Sequence, residues 1–336
     1  MSLPRRAAAA ALLVAFAFAA AGPAAADGAP PPACGGRDLA AGLDLTAAMA
    51  ARADELTDAQ GLLWRVERDG VAPSYLFGAI HSTDDGAAAI ARKAAEFAAK
   101  AKVVATELGG PFDPVDRGAL AAKLFAAAID RDDDTFLPDL AGQAGARVEA
   151  YLGAHGVPKA LAHHLKLWFL AASVEAPACE QAREQANMPE VDEIVAEAGA
   201  GANIPVVGLE TADEQLAALE AAPPALSAQL LETSTRLAGL DDDAYATMVR
   251  LYRDGRPAEM IAVVDALPML TAEERAAERR FDDMLLVGRN QTMAERAAPL
   301  VAEGGAFIAV GALHLPGKSG LIARFRAMGY RVVNVW

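Results

Sequence analysis

Cysteine, histidine and aromatic side chains are all scarce in this 336-residue chain. It has two cysteines, five histidines and an aromatic share of 6%. Two cysteines cannot build a disulfide-rich scaffold or a cysteine-based zinc module. Positive charge is also short, with 30 Lys+Arg against 45 Asp+Glu and a net charge of −15. That balance argues against a nucleic-acid binder, which carries a basic face. It also argues against docking on an anionic membrane by charge alone. Several catalytic signatures are missing: there is no Gly-x-Ser-x-Gly elbow, no His-Glu-x-x-His helix and no Gly-x-Gly-x-x-Gly loop. What remains is a chain that is 54% hydrophobic, too apolar to be disordered, although alanine supplies much of that share. The length allows one large domain or two ordinary ones.

The first residues read as a Sec-type signal peptide over 1–26. Arg5 and Arg6 precede an apolar run from Ala7 to Ala21, Gly22-Pro23 ends it, and Ala24-Ala25-Ala26 offers a small-residue cleavage site. The run is short for a membrane span, so no stable membrane anchor is expected after cleavage. The expected location is periplasmic or secreted. Residues 27–36 are rich in proline and glycine and read as a flexible lead-in. An oxidising compartment favours pairing Cys34 with Cys179, the alternative being two buried thiols.

Beyond the lead-in, helix-like and strand-like patterns alternate. Residues 38–57 and 87–100 read as helices. Strands are expected at Leu62–Glu67 and Ser74–Ile80, joined by a turn at Asp69-Gly70, and at Lys102–Leu108, Ile204–Gly208, Ala306–Gly311 and Arg331–Val335. Residues 114–199 read as nearly all helical, as do 212–302, with breaks near Pro223-Pro224, Gly255-Arg256-Pro257 and Pro268. The strands gather at the two ends of the chain. This points to one sheet built from N- and C-terminal strands and covered by helices, with a helical insertion at about 114–199 in a single domain spanning 37–336.

Two of the scarce histidines occupy matching settings. Tyr75–His81 is a strand followed by Gly78-Ala-Ile-His81, and Phe307–His314 is a strand followed by Gly311-Ala-Leu-His314. If the two strands are neighbours, both imidazoles meet at one sheet edge, where α/β sites gather. Imidazole is a frequent ligand of divalent metals. Glu107, at the end of the strand Val103–Leu108, is costly to bury unless paired or metal-bound. It could complete a two-histidine, one-carboxylate set or serve as base toward a metal-bound water.

Other candidates have plainer readings. Arg289-Asn290 follows Gly288 and reads as a helix start, with Asn as cap and Arg able to hold a carboxylate or substrate. Glu210 follows a strand, and Thr211 with Glu214 reads as a capping box. His163-His164 sits on an amphipathic stretch where neighbours point apart, and reads as structural or exposed. Ala312–Ser319 matches a permissive phosphate-loop pattern. However, Pro316 lacks an N–H and leucines stand where a cradle needs glycine, so Lys318 reads as a surface charge.

Together these pieces resemble the TraB/GumN (TraB/PrgY/GumN) family, which is related to the Tiki proteases that inactivate Wnt ligands. The resemblance runs from about Cys34 to Trp336. It is carried by Gly61-Leu-Leu-Trp64-Arg-Val, Ser74–His81, Val104-Ala-Thr-Glu107, Val207–Leu216, Arg289-Asn290 and Val310–Gly317. It implies an α+β fold with a mixed sheet flanked by helices, of the kind shared with erythromycin-esterase and ChaN-like proteins. It also implies a divalent-metal hydrolase site with His81 and His314 as metal histidines, Glu107 as the site acid, and Arg289 and Asn290 as polar site residues. Asp84, one turn beyond His81, is a further candidate. The family's common Gly-Thr-x-His form is here Gly78-Ala79-Ile80-His81, so a threonine hydroxyl is missing.

The reading that follows is an exported metal-dependent hydrolase acting on a peptide or polypeptide. A divalent ion (manganese, cobalt or zinc) would be held by His81, His314 and Glu107, with Glu107, Arg289 and Asn290 serving catalysis. The alternative is a non-catalytic protein that captures a peptide or polysaccharide fragment on the same scaffold.

Overall fold

The structure, a computed structural model, describes residues 34–53, 55–110, 114–129, 143–172 and 176–336. The expected signal peptide, 1–26, and most of the expected lead-in lie outside the described residues. The fold is α+β. Six strands, β1 (Leu63–Glu67), β2 (Ser74–Ala79), β3 (Val103–Thr106), β4 (Val206–Gly208), β5 (Ala306–Gly311) and β6 (Arg331–Asn334), form one mixed sheet in the order β4-β3-β5-β2-β1-β6. The first four strands in that order are parallel, while β1 runs antiparallel to both β2 and β6. The β1–β2 hairpin turns at Asp69-Gly70 as expected, with Gly70 in the left-handed region at φ 76°.

The central strands are covered on both faces, as parallel strands require. Alternation along β2 and β5 divides their side chains. Phe77, Ala79, Phe307 and Ala309 join one core with the helices Asp85–Ala98, Val191–Gly201 and Ala258–Ala266. Leu76, Ile308 and Val310 join another with Leu321, Phe325 and the second half of the helix Ala272–Glu303. A third core ties the helices of the 114–172 region to those of 212–236 and to the first half of Ala272–Glu303.

The abundant alanine has a structural use here. Ala87, Ala91, Ala94 and Ala98 recur at helical spacing and form the buried face of Asp85–Ala98. That helix packs on Val191–Gly201. Gly199 lies so close to the sheet that a Cβ there would come within 2.7 Å of a Val104 methyl. Short side chains on this layer let both helices settle on the strands. Ala91→Leu is therefore expected to destabilise the protein by about 1–3 kcal/mol through overpacking. Urea unfolding measures this, and an unchanged midpoint would show spare volume in the layer.

Two expected elements differ. The 38–57 helix shrinks to Leu45–Ala51, because the chain turns at Gly42 (φ 83°) and Asp44 caps the start, accepting from the N–H groups of Thr46 and Ala47. Arg289-Asn290 does not open a helix. Both residues lie inside the 32-residue helix Ala272–Glu303. Gly288 is exposed there with nothing near its Cβ position, so it is tolerated without making a turn.

Candidate functional site

The carboxyl ends of the parallel strands converge, the usual place for a site in such a sheet. β2 and β5 are direct neighbours, with Ala79 opposite Gly311. His81 follows β2, Glu107 follows β3, Glu210 follows β4 shortly after its end, and His314 lies on a 3₁₀ turn, Ala312–His314, after β5. Packing demands the first motif glycine and crowds the second. A Cβ on Gly78 would lie 2.9 Å from the Ala312 Cα, so the glycine lets the turn carrying His314 lie against β2. A Cβ on Gly311 would lie 3.3 Å from Glu107 Oε1 and 3.4 Å from the His314 ring.

His314 is 4% exposed. Its Nδ1 lies 2.7 Å from Asn290 Oδ1, which can only accept, so Nδ1 carries the proton and Nε2 keeps its lone pair. Nε2 lies 3.7 Å from Glu107 Oε1. Burial, joined by Arg289 and His81 and opposed by Glu107, pushes the His314 pKa down to about 3, which leaves a neutral ring at ordinary pH. The Asn290 partner fixes its tautomer as outer groups do for metal-bound histidines.

Glu107 is held by donors on both oxygens. Oε1 accepts from the Gly311 N–H at 2.7 Å, and Oε2 accepts from Arg289 at 2.5 Å and from Gln215 at 3.1 Å. Burial works against the charge, yet Arg289, His81 and the Gly311 N–H outweigh it and bring Glu107 down to about 2. Arg289 also grips both oxygens of Glu210, at 2.7–3.0 Å. Burial opposes the charge on Arg289, but the two carboxylates more than compensate and raise its pKa.

His81 stands apart from this buried wall, its ring 43% exposed, with Nδ1 2.8 Å from Glu190 Oε2. Burial opposes its charge, but the hydrogen bond and charge of Glu190, with Asp192 and Glu107 behind it, push the ring up to about 10. Asp192 is pushed up to about 7, first by burial and then by Glu190 and Glu193, with His81 opposing. His81, Glu190 and Asp192 bring ligand-type atoms within 4.8 Å of one another. Asp192 Oδ1 is buried and makes no hydrogen bond. His81, Glu107, Asp192 and Gly311 line one narrow cleft floored by Ala79 and Ala309. A larger hollow beside Arg52 and Asp265 includes none of these residues, and Arg52 and Arg279 there are both paired with Asp265.

The loop after His81 is braced from outside. Glu180 accepts from the Thr83 N–H at 2.5 Å, the Thr83 hydroxyl at 3.1 Å and the Tyr245 hydroxyl at 2.5 Å. Arg183 donates to the Thr83 hydroxyl and carbonyl. Cys179, next to Glu180, forms the disulfide with Cys34, at a Cα–Cα distance of 5.3 Å. Three residues beyond Cys34, Arg37 pairs with Asp243 on the helix that carries Tyr245. Burial raises the Glu180 carboxyl despite these donors.

Both Gly-x-x-His segments, Glu107, Arg289 and Asn290 thus lie within the segment 62–334 that the model of the TraB/PrgY/gumN family matches. The chain belongs to the TraB/PrgY/gumN family. Neither a curated protein nor a solved structure matches it.

In this family member His81, Glu107, His314, Arg289 and Asn290 all lie near the carboxyl ends of the parallel strands, while other candidates fall elsewhere. Asp84 caps the helix Asp85–Ala98, accepting from Gly86 and Ala87. Thr211 and Glu214 form their capping box. His163 pairs with Glu149, and His164 is exposed. Lys318 is exposed on a turn. Glu190, Asp192 and Gln215 are the neighbours that sequence reasoning missed. Acids at a helix start read as dipole partners, and nothing local told Glu190 and Asp192 from that role. For Glu210 a signal was present, since it follows β4 much as Glu107 follows the neighbouring β3. Among the described residues no helix is long and apolar enough to cross a membrane.

Proposed function

We propose that this protein is an exported metal-dependent hydrolase, with a peptide or polypeptide as its substrate. The observation that carries the reading is the meeting of His81, Glu107 and His314 at the ends of three neighbouring parallel strands, with a neutral His314 Nε2 turned toward Glu107. The donor set fits a divalent ion. It offers the neutral imidazole of His314, a second imidazole on His81 that would give up its proton to bind, anionic carboxylate, and a buried carboxylate oxygen, Asp192 Oδ1, without a partner. His81, His314 and Glu107 are the residues we assign to hold it. Bound there, a divalent ion would polarise a carbonyl and acidify a water at neutral pH. Manganese, cobalt and zinc all suit such donors.

The chain's own groups have separable tasks. Asn290 holds the His314 tautomer. Glu107, with both oxygens already accepting, is better placed to orient and neutralise than to exchange protons. Arg289 presents positive charge beside Glu107, where negative charge develops on an attacked carbonyl. The disulfide is consistent with an oxidising compartment, and the sequence of the first 26 residues supports export.

The test is a peptide-library cleavage assay on the purified protein with manganese, cobalt or zinc, run beside His81→Ala and His314→Ala. The expected outcome is metal-dependent cleavage that falls by at least about 100-fold in each folded variant. Full cleavage in either variant sinks the assignment, and stoichiometric peptide binding without cleavage would favour a capture protein instead.

A further inference from the structure

We propose that Glu190 and Asp192 are direct ligands of the divalent ion, so that it seats against His81 and the start of the helix Val191–Gly201. This inference rests on the metal reading above. The three residues already bring donor atoms within 4.8 Å of one another. Donors around one ion at about 2.0–2.2 Å lie up to about 4.4 Å apart, so the closing movement is small.

Four further observations favour this seat. Asp192 Oδ1 is buried without a hydrogen bond, and buried polar atoms are ordinarily satisfied. Two carboxylates face a single imidazole, so the cluster is short of positive charge, and a divalent ion supplies it. The Glu190 N–H is held by Glu193 Oε2 at 3.2 Å, while the Glu190 side chain turns to His81. Both acids stand at the start of an 11-residue helix, an end whose dipole favours carboxylate groups.

Glu107 differs, because Arg289, Gln215 and Gly311 already take three of its acceptor positions and leave it one, on Oε1. The ion therefore takes most of its charge balance from Glu190 and Asp192, in the cleft that His81, Glu107 and Asp192 line together. Imidazole with carboxylates suits manganese, cobalt or zinc and not a soft ion such as Cu(I).

The experiment is calorimetric titration of the purified protein with Mn²⁺ and with Zn²⁺. It is paired with elemental analysis after gel filtration and with thermal melting in the presence and absence of the ion. Wild type should bind one ion and melt higher with it. Glu190→Gln/Asp192→Asn, near-isosteric and checked for folding by circular dichroism, should bind more than about 100-fold more weakly and lose the metal-dependent rise in Tm. If the double variant does not fold, Asp192→Asn alone decides, since it keeps the His81–Glu190 contact. Wild-type affinity in the folded variant overturns the assignment of Glu190 and Asp192 while leaving a metal site in place. A wild type that takes up neither ion overturns the metal reading and this inference with it.

Discussion

Arg289→Met should destabilise the protein by about 3–5 kcal/mol, because it leaves buried carboxylates without their cation. Arg289 contacts both oxygens of Glu210, whose side chain is 1% exposed, and one of Glu107. Methionine fills similar volume, so the loss reports the unpaired charges rather than a cavity. Arg289→Lys should recover only part, since an ammonium cannot reproduce the two-pronged contact with Glu210.

The deficit should depend on pH in a stated direction. Glu107 is held near 2 in the folded protein, below its ordinary 4.5. Its contribution is therefore complete above about pH 4.5 and is lost as pH falls toward 2. In the methionine variant the carboxyls gain by taking up protons, so the gap between variant and wild type should narrow on acidification. Urea unfolding followed by circular dichroism at pH 7 and pH 4 makes the comparison. Equal midpoints at pH 7 would remove this ion-pair cluster from the energetics of the fold.

Breaking the disulfide is the second large effect. Cys34 and Cys179 are separated by 145 positions, and a link closing so long a loop restricts the unfolded chain strongly. Cys34→Ser/Cys179→Ser is expected to cost about 2–5 kcal/mol. A local consequence should accompany the global one. Glu180 sits beside Cys179 and receives the Thr83 N–H, two residues beyond His81. Amide exchange at Thr83 should therefore accelerate more than exchange in β5. If the Thr83 amide stays as protected as the strand, the brace acts on stability alone and not on the His81 loop.

The sheet was legible because its strands are short apolar runs bounded by glycine, and because Gly78-x-x-His81 and Gly311-x-x-His314 repeat one local arrangement. That repetition raised the case in which the two strands are neighbours, and the pairing of β2 with β5 meets it. Reading Gly288 as a helix boundary failed because an exposed glycine in a long helix costs only about 1 kcal/mol, too little to stop it when both flanks are packed. The partners of His81 were not legible for a different reason. Glu190 and Asp192 lie more than a hundred residues from it, and their helix-start position offers a sufficient local explanation. Only the packing of Val191–Gly201 on Asp85–Ala98, set by alanine faces, brings them to His81.

The helix Ala272–Glu303 carries a mechanical consequence. Ala277, Phe281 and Leu285 anchor its first half in the helical core, and Met293, Ala294, Ala297 and Val301 anchor its second half against the sheet. Arg289 and Asn290 stand between the two anchorages. The helix thus works as a splint set in two blocks, about 48 Å long at 1.5 Å per residue. A force that tilts the helical block must bend the splint or swing it, and the point of greatest leverage is the segment that grips Glu107, Glu210 and His314. A distant load on the helical block is therefore delivered to the charged edge of the sheet.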